Sequence, residues 1–168
     1  MTLRPATPAD FPLVRELAQR PDYARFITDE DEAGLAACLA APDCQFLIWE
    51  PEGKPAGFAI FCEIGNPSGR VELMRLALVE AGKGQGDRFL RVLLEHAFRG
   101  LGAERVWLDC SGENLRAQKV YGRVGLVQEA RLRRHHFVPV LARTVDKLIY
   151  GMLRADWLAL RGDDVGHG

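Results

Sequence analysis

At 168 residues the chain has room for one domain, since folded domains cluster near ~100–150 residues and one of this size buries roughly 70% of its unfolded surface. A packed core then needs no disulfide or structural metal, and the 48% apolar content agrees. Twenty-two Lys and Arg against 23 Asp and Glu leave a formal net charge of −1, which excludes the broad positive field of a dedicated nucleic-acid binder. A bilayer span takes ~20 consecutive apolar residues; runs such as Ala56 to Cys62 are far shorter, so no membrane partner is expected.

Met1-Thr2-Leu3-Arg4-Pro5 shows no basic stretch followed by an apolar one, as a secretory signal would. Cys38, Cys44, Cys62 and Cys110 form no CxxC pair and no metal-ligand spacing. The reading is four reduced core thiols in a cytoplasm, with no metal.

In chain order, Leu3-Arg4 is strand-like, and Thr7-Pro8-Ala9-Asp10 combines a capping hydroxyl, Pro at the first helical position and an acid. A helix to about Gln19 follows. Thr28, with acids behind it and Leu35, Cys38 and Leu39 at helical spacing, predicts a second helix. Gln45 to Glu50 and Pro55 to Glu63, split by Pro51-Glu52-Gly53-Lys54, read as a β-hairpin, and Arg70 to Leu78 as a third long strand. Phe89, Leu90, Leu93, Leu94, Ala97, Phe98 and Leu101 mark one helical stripe, closed by Gly100 and Gly102. Arg105 to Cys110 is a strand, Asn114 to Val124 a short helix, and Leu126 to Phe137 and Thr144 to Leu153 are the last strands. The succession is α+β, or α/β with mixed pairing. One domain is expected over residues 1–160, with a polar, Gly-rich, disordered tail at 161–168.

Gly82-Lys83-Gly84-Gln85-Gly86 lies between a strand and a helix starting near Asp87. Free backbone N–H groups and the positive end of a macrodipole converge there, which suits phosphate oxygens. The Walker A and dinucleotide patterns are both missing, since neither GxxxxGK[ST] nor a third glycine at the right offset is present. A ligand-free tight turn accounts for the glycines equally well. Together with Asn114, Ala117, Tyr121 and Gly125, spaced as Asn-x-x-Ala-x-x-x-Tyr-x-x-x-Gly, the segment Glu72 to Arg131 resembles the GNAT superfamily of acetyl-CoA-dependent N-acetyltransferases. It is nearest in pattern to the ribosomal-protein and small-amine branch. Ala81 departs from the family's usual Arg or Gln, and Leu126 from its usual Phe.

The resemblance implies a mixed, mostly antiparallel sheet flanked by helices, and a ternary complex in which a primary amine attacks the thioester of acetyl-CoA, leaving coenzyme A. It assigns Gly82, Lys83, Gly84, Gln85, Gly86 and Asp87 to the pyrophosphate, the backbone of Leu76, Ala77 and Leu78 to the pantetheine amides, and Asn114 to the pantetheine arm. Tyr121 would protonate the departing thiolate and Glu72 would take the ammonium proton. Each has a plainer reading: Tyr121 as a packing aromatic, Asn114 as an N-cap, Glu72 as a strand glutamate paired with Arg75 or Arg70. Asp109 is the reserve base. A non-catalytic acyl-CoA-binding module is the rival function.

His135-His136 reads as a basic strand end and His96 as a helix-face residue. Asp22, Asp29, Glu30, Asp31 and Glu32 would form an acidic rim over the acceptor groove and steer a cation, or simply favour the second helix's first turn. A cationic small molecule and a protein N-terminus are both candidate acceptors, and a homodimer is compatible with the resemblance.

Overall fold

The computed structural model describes residues 3–165. Strands β1 (Leu3–Pro5), β2 (Gln45–Trp49), β3 (Gly57–Cys62), β4 (Arg70–Leu78), β5 (Arg105–Ser111), β6 (Val127–Val138) and β7 (Arg143–Leu153) form one sheet in the order β1-β2-β3-β4-β5-β7-β6. All neighbours are antiparallel except β4 and β5.

Side chains along a strand alternate between faces, and the two faces collect two cores. Phe46, Ile48, Phe58, Ile60 and Ala77 pack with Phe11, Val14 and Leu17 of α1 (Phe11–Gln19) and Leu35 of α2 (Glu32–Ala40). Leu47, Trp49, Ala59, Phe61, Leu73 and Leu78 pack on the opposite face with Phe89, Leu90, Leu93 and Leu94 of α3 (Gln85–Glu95). Tyr121 of α4 (Leu115–Arg123) and Trp157 of α5 (Arg154–Val165) complete that second layer. The expected apolar stripe of α3 is therefore one buried face. A π turn over His96–Gly100 ends it, with Leu101 N–H donating to the His96 carbonyl at 3.0 Å.

Two expectations fail locally. Thr28 does not cap α2: Asp31 does, its carboxylate accepting from Gly34 N–H at 2.8 Å, so the helix starts at Glu32. The tail expected to be loose from Arg161 continues α5 to Val165, and the Arg161 guanidinium lies 5.0 Å from the Trp157 ring centroid. Trp157 in turn stacks on Phe98 at 5.2 Å, so the helix has an aromatic anchor. Residues 166–168 lie outside the described residues.

The β4–β5 pair creates the site. Parallel pairing runs only from Arg70↔Arg105 to Glu72↔Trp107. Just beyond, β4 carries an extra residue, because Leu73 pairs with Phe61 and Arg75 with Ile60, which leaves Met74 unmatched. A bulge bends its strand and increases local twist; past it the two parallel strands no longer pair and a groove opens between them.

Candidate active site

The groove is a cavity of about 650 Å³ lined by β4, β5, the glycine turn, α4 and the segment between α1 and α2. That volume suits a cofactor-sized ligand, since small-molecule sites run ~300–1,000 Å³.

At one end the chain enters α3 through Gly82, Lys83 and Gly84, three successive residues with positive φ of 98°, 52° and 76°. A Cβ on Gly82 or Gly84 would meet nothing within 4 Å, so these glycines face open space. Gln85 N–H is spent on the Gly82 carbonyl at 3.0 Å, while those of Gly86 and Asp87 have no backbone acceptor among the described residues. Together with the helix N-terminus they make a concave turn that could hold an anion, an anion cradle in form. Gly82, Gly84, Gly86 and Asp87 line the cavity; Lys83 and Gln85, expected there, do not. The Asp87 carboxylate, a like charge to any phosphate, is held 2.7 Å from Arg123, which keeps its pKa below the usual carboxylate range.

The backbone of β4 continues the groove, and Leu76, Ala77 and Leu78 all line the cavity, though their backbone groups do not all face it. Val79 N–H donates to Ala56 O at 2.8 Å. Because backbone groups alternate in an antiparallel pair, Ala77 also faces β3, and a Cβ on Gly57 would strike its carbonyl at 2.7 Å. Ala77 therefore offers the groove no backbone groups. Leu76 and Leu78 do, having no β5 partner. The Leu78 pair is already taken: the Tyr23 hydroxyl accepts from Leu78 N–H and donates to Leu78 C=O, both at 3.0 Å. Arg20 reinforces this by donating to Val79 O at 2.6 Å. Tyr23 was missed in the sequence, where nothing distinguishes it from other loop aromatics.

Asn114 is the N-cap of α4, its Oδ1 accepting from Ala117 N–H at 3.1 Å, and it also lines the cavity. Both readings of this residue are thus compatible. Tyr121 lines the same wall, packed edge-on against Tyr150 at 5.3 Å, and its hydroxyl has no hydrogen-bond partner among the described residues. Burial raises its pKa far above the ordinary value, so it is a phenol at neutral pH.

Glu72 and Asp109 face the groove from β4 and β5. The salt-bridge alternatives for Glu72 are not realised, since Arg75 pairs with Glu30 at 2.9 Å and Arg70 with Glu63 at 3.0 Å. The other four carboxylates of the cavity wall each have a cation within 4.0 Å: Asp22 has Arg20, Asp87 has Arg123, Asp109 has Lys147, and Glu113 has Arg143. Among the described residues, Glu72 alone in the wall lacks a cationic partner. Desolvation, then the neighbouring Asp109 and Glu63 carboxylates, raise its pKa, with Arg75 opposing.

Outside the groove, His96 packs on Phe61 and meets Gln45 Oε1. No three His, Cys, Asp or Glu side chains among the described residues are placed to hold a metal, and no described helix is long and apolar enough to cross a membrane.

A family model described as an acetyltransferase (GNAT) domain matches residues 1–127, and the chain belongs to that family. No curated protein matches it in sequence. Among solved structures, the chain is similar to the spermidine N-acetyltransferase of Vibrio cholerae in complex with CoA and spermine. That likeness has a TM-score of 0.79 and 18% identity, over 94% of this chain and 97% of that one. A dodecameric, intermediate-state structure of spermidine N-acetyltransferase from Vibrio cholerae gives 0.76 and 19%, over 94% and 95%. A candidate acetyltransferase from T. thermophilus gives 0.74 and 24%, over 96% and 89%. At such identities the likeness establishes the GNAT fold.

Proposed function

We propose that the protein is an acetyl-CoA-dependent N-acetyltransferase in which a primary amine attacks the bound thioester directly, in a ternary complex. The observation that carries this reading is the groove with three features in sequence: the anion cradle at α3, the groove-facing β4 backbone, and the desolvated, unpaired Glu72 with the partnerless Tyr121 hydroxyl. Bound acetyl-CoA would supply an activated acetyl group and a thiol leaving group. The cradle of Gly82, Gly84, Gly86 and Asp87 N–H holds its pyrophosphate, Leu76 and, once Tyr23 yields, Leu78 pair with its amides, and Asn114 borders the arm.

Glu72 attracts the acceptor's ammonium and takes its proton, directly or through water. Its raised pKa brings it nearer the working pH of a base, and an incoming cation compensates the uncompensated carboxylate. Tyr121, a buried neutral phenol, gives its proton to the departing thiolate. Asp109, already paired with Lys147, is the weaker candidate for either task. A non-catalytic acyl-CoA-binding module would have no use for an unpaired, desolvated carboxylate at this position, and maintaining one costs stability.

The fold likeness to spermidine N-acetyltransferases supports a small cationic amine over a protein N-terminus, and the small-amine branch over the ribosomal-protein one. A relative solved as a dodecamer supports self-association, of which a homodimer is the simplest form. Thiol release from acetyl-CoA, measured with and without a panel of polyamines, monoamines and peptides with free N-termini, tests the proposal. Acetylation of at least one amine is the expected result. CoA binding with no amine-dependent thiol release would establish the non-catalytic module instead.

A further inference from the structure

Cys44 and Cys62 are brought together by the β2–β3 ladder on the face carrying α1 and α2. The register Gln45↔Phe61, continued by one residue, sets Cys44 opposite Cys62. One step beyond, Ile64 N–H donates to Asp43 O at 3.0 Å, so backbone bonds pin the chain on both sides of the pair. The two sulfurs lie 2.8 Å apart, nearer than the ~3.5–4.0 Å of ordinary non-bonded contact. Directly opposed residues of antiparallel strands have Cα atoms ~4.5–5.5 Å apart, inside the ~4.4–6.8 Å that a disulfide requires. The spacing of the two strands is thus compatible with a disulfide.

We propose that Cys44 and Cys62 form a reversible oxidation site, a cross-strand dithiol that a hydroperoxide converts to a disulfide and a small-molecule thiol restores. Both residues are half-buried, and the Cys44 sulfur reaches the exposed Asp43 side chain at 3.8 Å. Cys62 lies deeper against Met74, sulfur to sulfur 3.6 Å, and burial keeps its thiol protonated. Access sets the order of events. The Cys44 thiolate attacks the hydroperoxide and becomes a sulfenic acid, releasing hydroxide or alkoxide. The Cys62 sulfur then attacks the sulfenic sulfur, the S–S bond forms, and the oxygen leaves as water with the Cys62 proton and one from solvent balancing the hydroxide. Two electrons pass from the two thiols to the peroxide. Two equivalents of free thiol reverse the step by exchange.

The site is joined to the groove. Cys62 is the register partner of Glu72, and Met74, which its sulfur touches, is the unmatched bulge residue of β4 and lines the cavity. Cys38 and Cys110 are the other two cysteines of the four, and Cys110 is buried in the opposite core layer.

The test is oxidation of the native wild-type protein with one equivalent of hydrogen peroxide, followed by blocking of free thiols and non-reducing peptide mapping. The free-thiol count should fall from four to two, with the Cys44 and Cys62 peptides linked and the count restored by dithiothreitol. Closing a loop of this length in the unfolded chain should raise Tm by on the order of 5–10 °C in the oxidised form. In Cys62→Ala, where resolution is blocked, dimedone should label Cys44. Linkage found only after denaturation, linkage of Cys38 instead, or loss of thiols without any linked peptide would each overturn the proposal.

Discussion

Tyr23→Phe isolates the contact that stands between the cofactor and Leu78. The substitution keeps the ring but removes the hydroxyl that holds Leu78 N–H and C=O, each at 3.0 Å. If pantetheine amides are to pair with Leu78, those two bonds must first break, so their free energy is subtracted from the cofactor's affinity. One intramolecular hydrogen bond contributes a net ~0.5–1.5 kcal/mol, and here the groove is open, so water can replace the phenol. The low end applies, and two bonds sum to about 1–2 kcal/mol. Tyr23→Phe should thus bind coenzyme A roughly 5- to 30-fold more tightly by calorimetry. The ligand-free variant should meanwhile melt about 2–8 °C lower, at ~2–4 °C per kcal/mol for a domain of this size. Opposite signs in the two measurements are the signature of displacement. A variant that melts lower and binds coenzyme A with unchanged or weaker affinity would show that Tyr23 stays on Leu78 in the complex, and the reasoning would fail.

At the anion cradle, φ of +76° at Gly84 strains any side chain, but Asn tolerates that region nearly as well as any non-glycine residue. Gly84→Asp should therefore abolish acetyl-CoA binding while Gly84→Asn only weakens it, and equal losses would assign the effect to backbone strain instead of charge. Tyr121→Phe should lower kcat about 10- to 10³-fold with coenzyme A affinity nearly intact, because the ring still packs on Tyr150; equal turnover, with chemistry rate-limiting, would leave it a packing residue. Glu72→Gln should slow turnover near neutrality and flatten the acidic limb of the kcat/KM profile. Because folding raises the Glu72 pKa above its unfolded value of 4.5, the wild-type protein gives up stability as pH rises through that window. The Gln variant should accordingly melt higher than wild type at neutral pH and lose this advantage well below pH 4.5, as scanning calorimetry would show. Neutralising Asp29 to Glu32 should cost thermal stability and reduce the salt dependence of kcat/KM for a polyamine, through exposed Asp31 and Glu32; an unchanged salt slope would leave the run as helix capping alone.

The sheet was legible where one residue's chemistry decides one structural choice. The continuous apolar runs of β2 and β3, bounded by turn residues, and the unbroken stripe of α3 leave few options, because both faces of those two strands are buried while α3 buries one. Asn114 could be placed at a helix start by its own capping chemistry. Thr28, by contrast, stands among Asp29, Glu30 and Asp31, and three of those four residues make good caps. Distant partners settle the choice: Arg15 and Gln19 draw Asp29 to α1, and Arg75 draws Glu30 to β4, which leaves Asp31 to cap. The same holds in the site. Glycines that need positive φ announce themselves, whereas Tyr23 acts on a residue 55 positions away. The extra residue at Met74, which opens the groove, is a matter of register between two strands and leaves no mark in either one.

The acidic stretch shows most sharply why charge counted along a sequence misleads about charge presented to a ligand. Asp22 is bound by Arg20, Asp29 by Arg15, and Glu30 by Arg75, while Asp31 spends an oxygen on the N-terminus of α2. At those three pairs a cation approaching from solvent meets fields that fall off faster than those of single charges. Exposed Asp31 and Glu32 have no cationic partner among the described residues, and salt at about 0.15 M screens them beyond ~8 Å. Within the cavity wall the uncompensated charge lies at Glu72, where desolvation strengthens its interaction with one ammonium group. Selection of a cationic acceptor is then exerted at the reacting nitrogen. A second positive charge on the acceptor either competes with Arg15, Arg20 or Arg75 for a carboxylate, trading one ion pair for another with little net gain, or meets exposed Asp31 and Glu32, where a solvent-exposed pair contributes little.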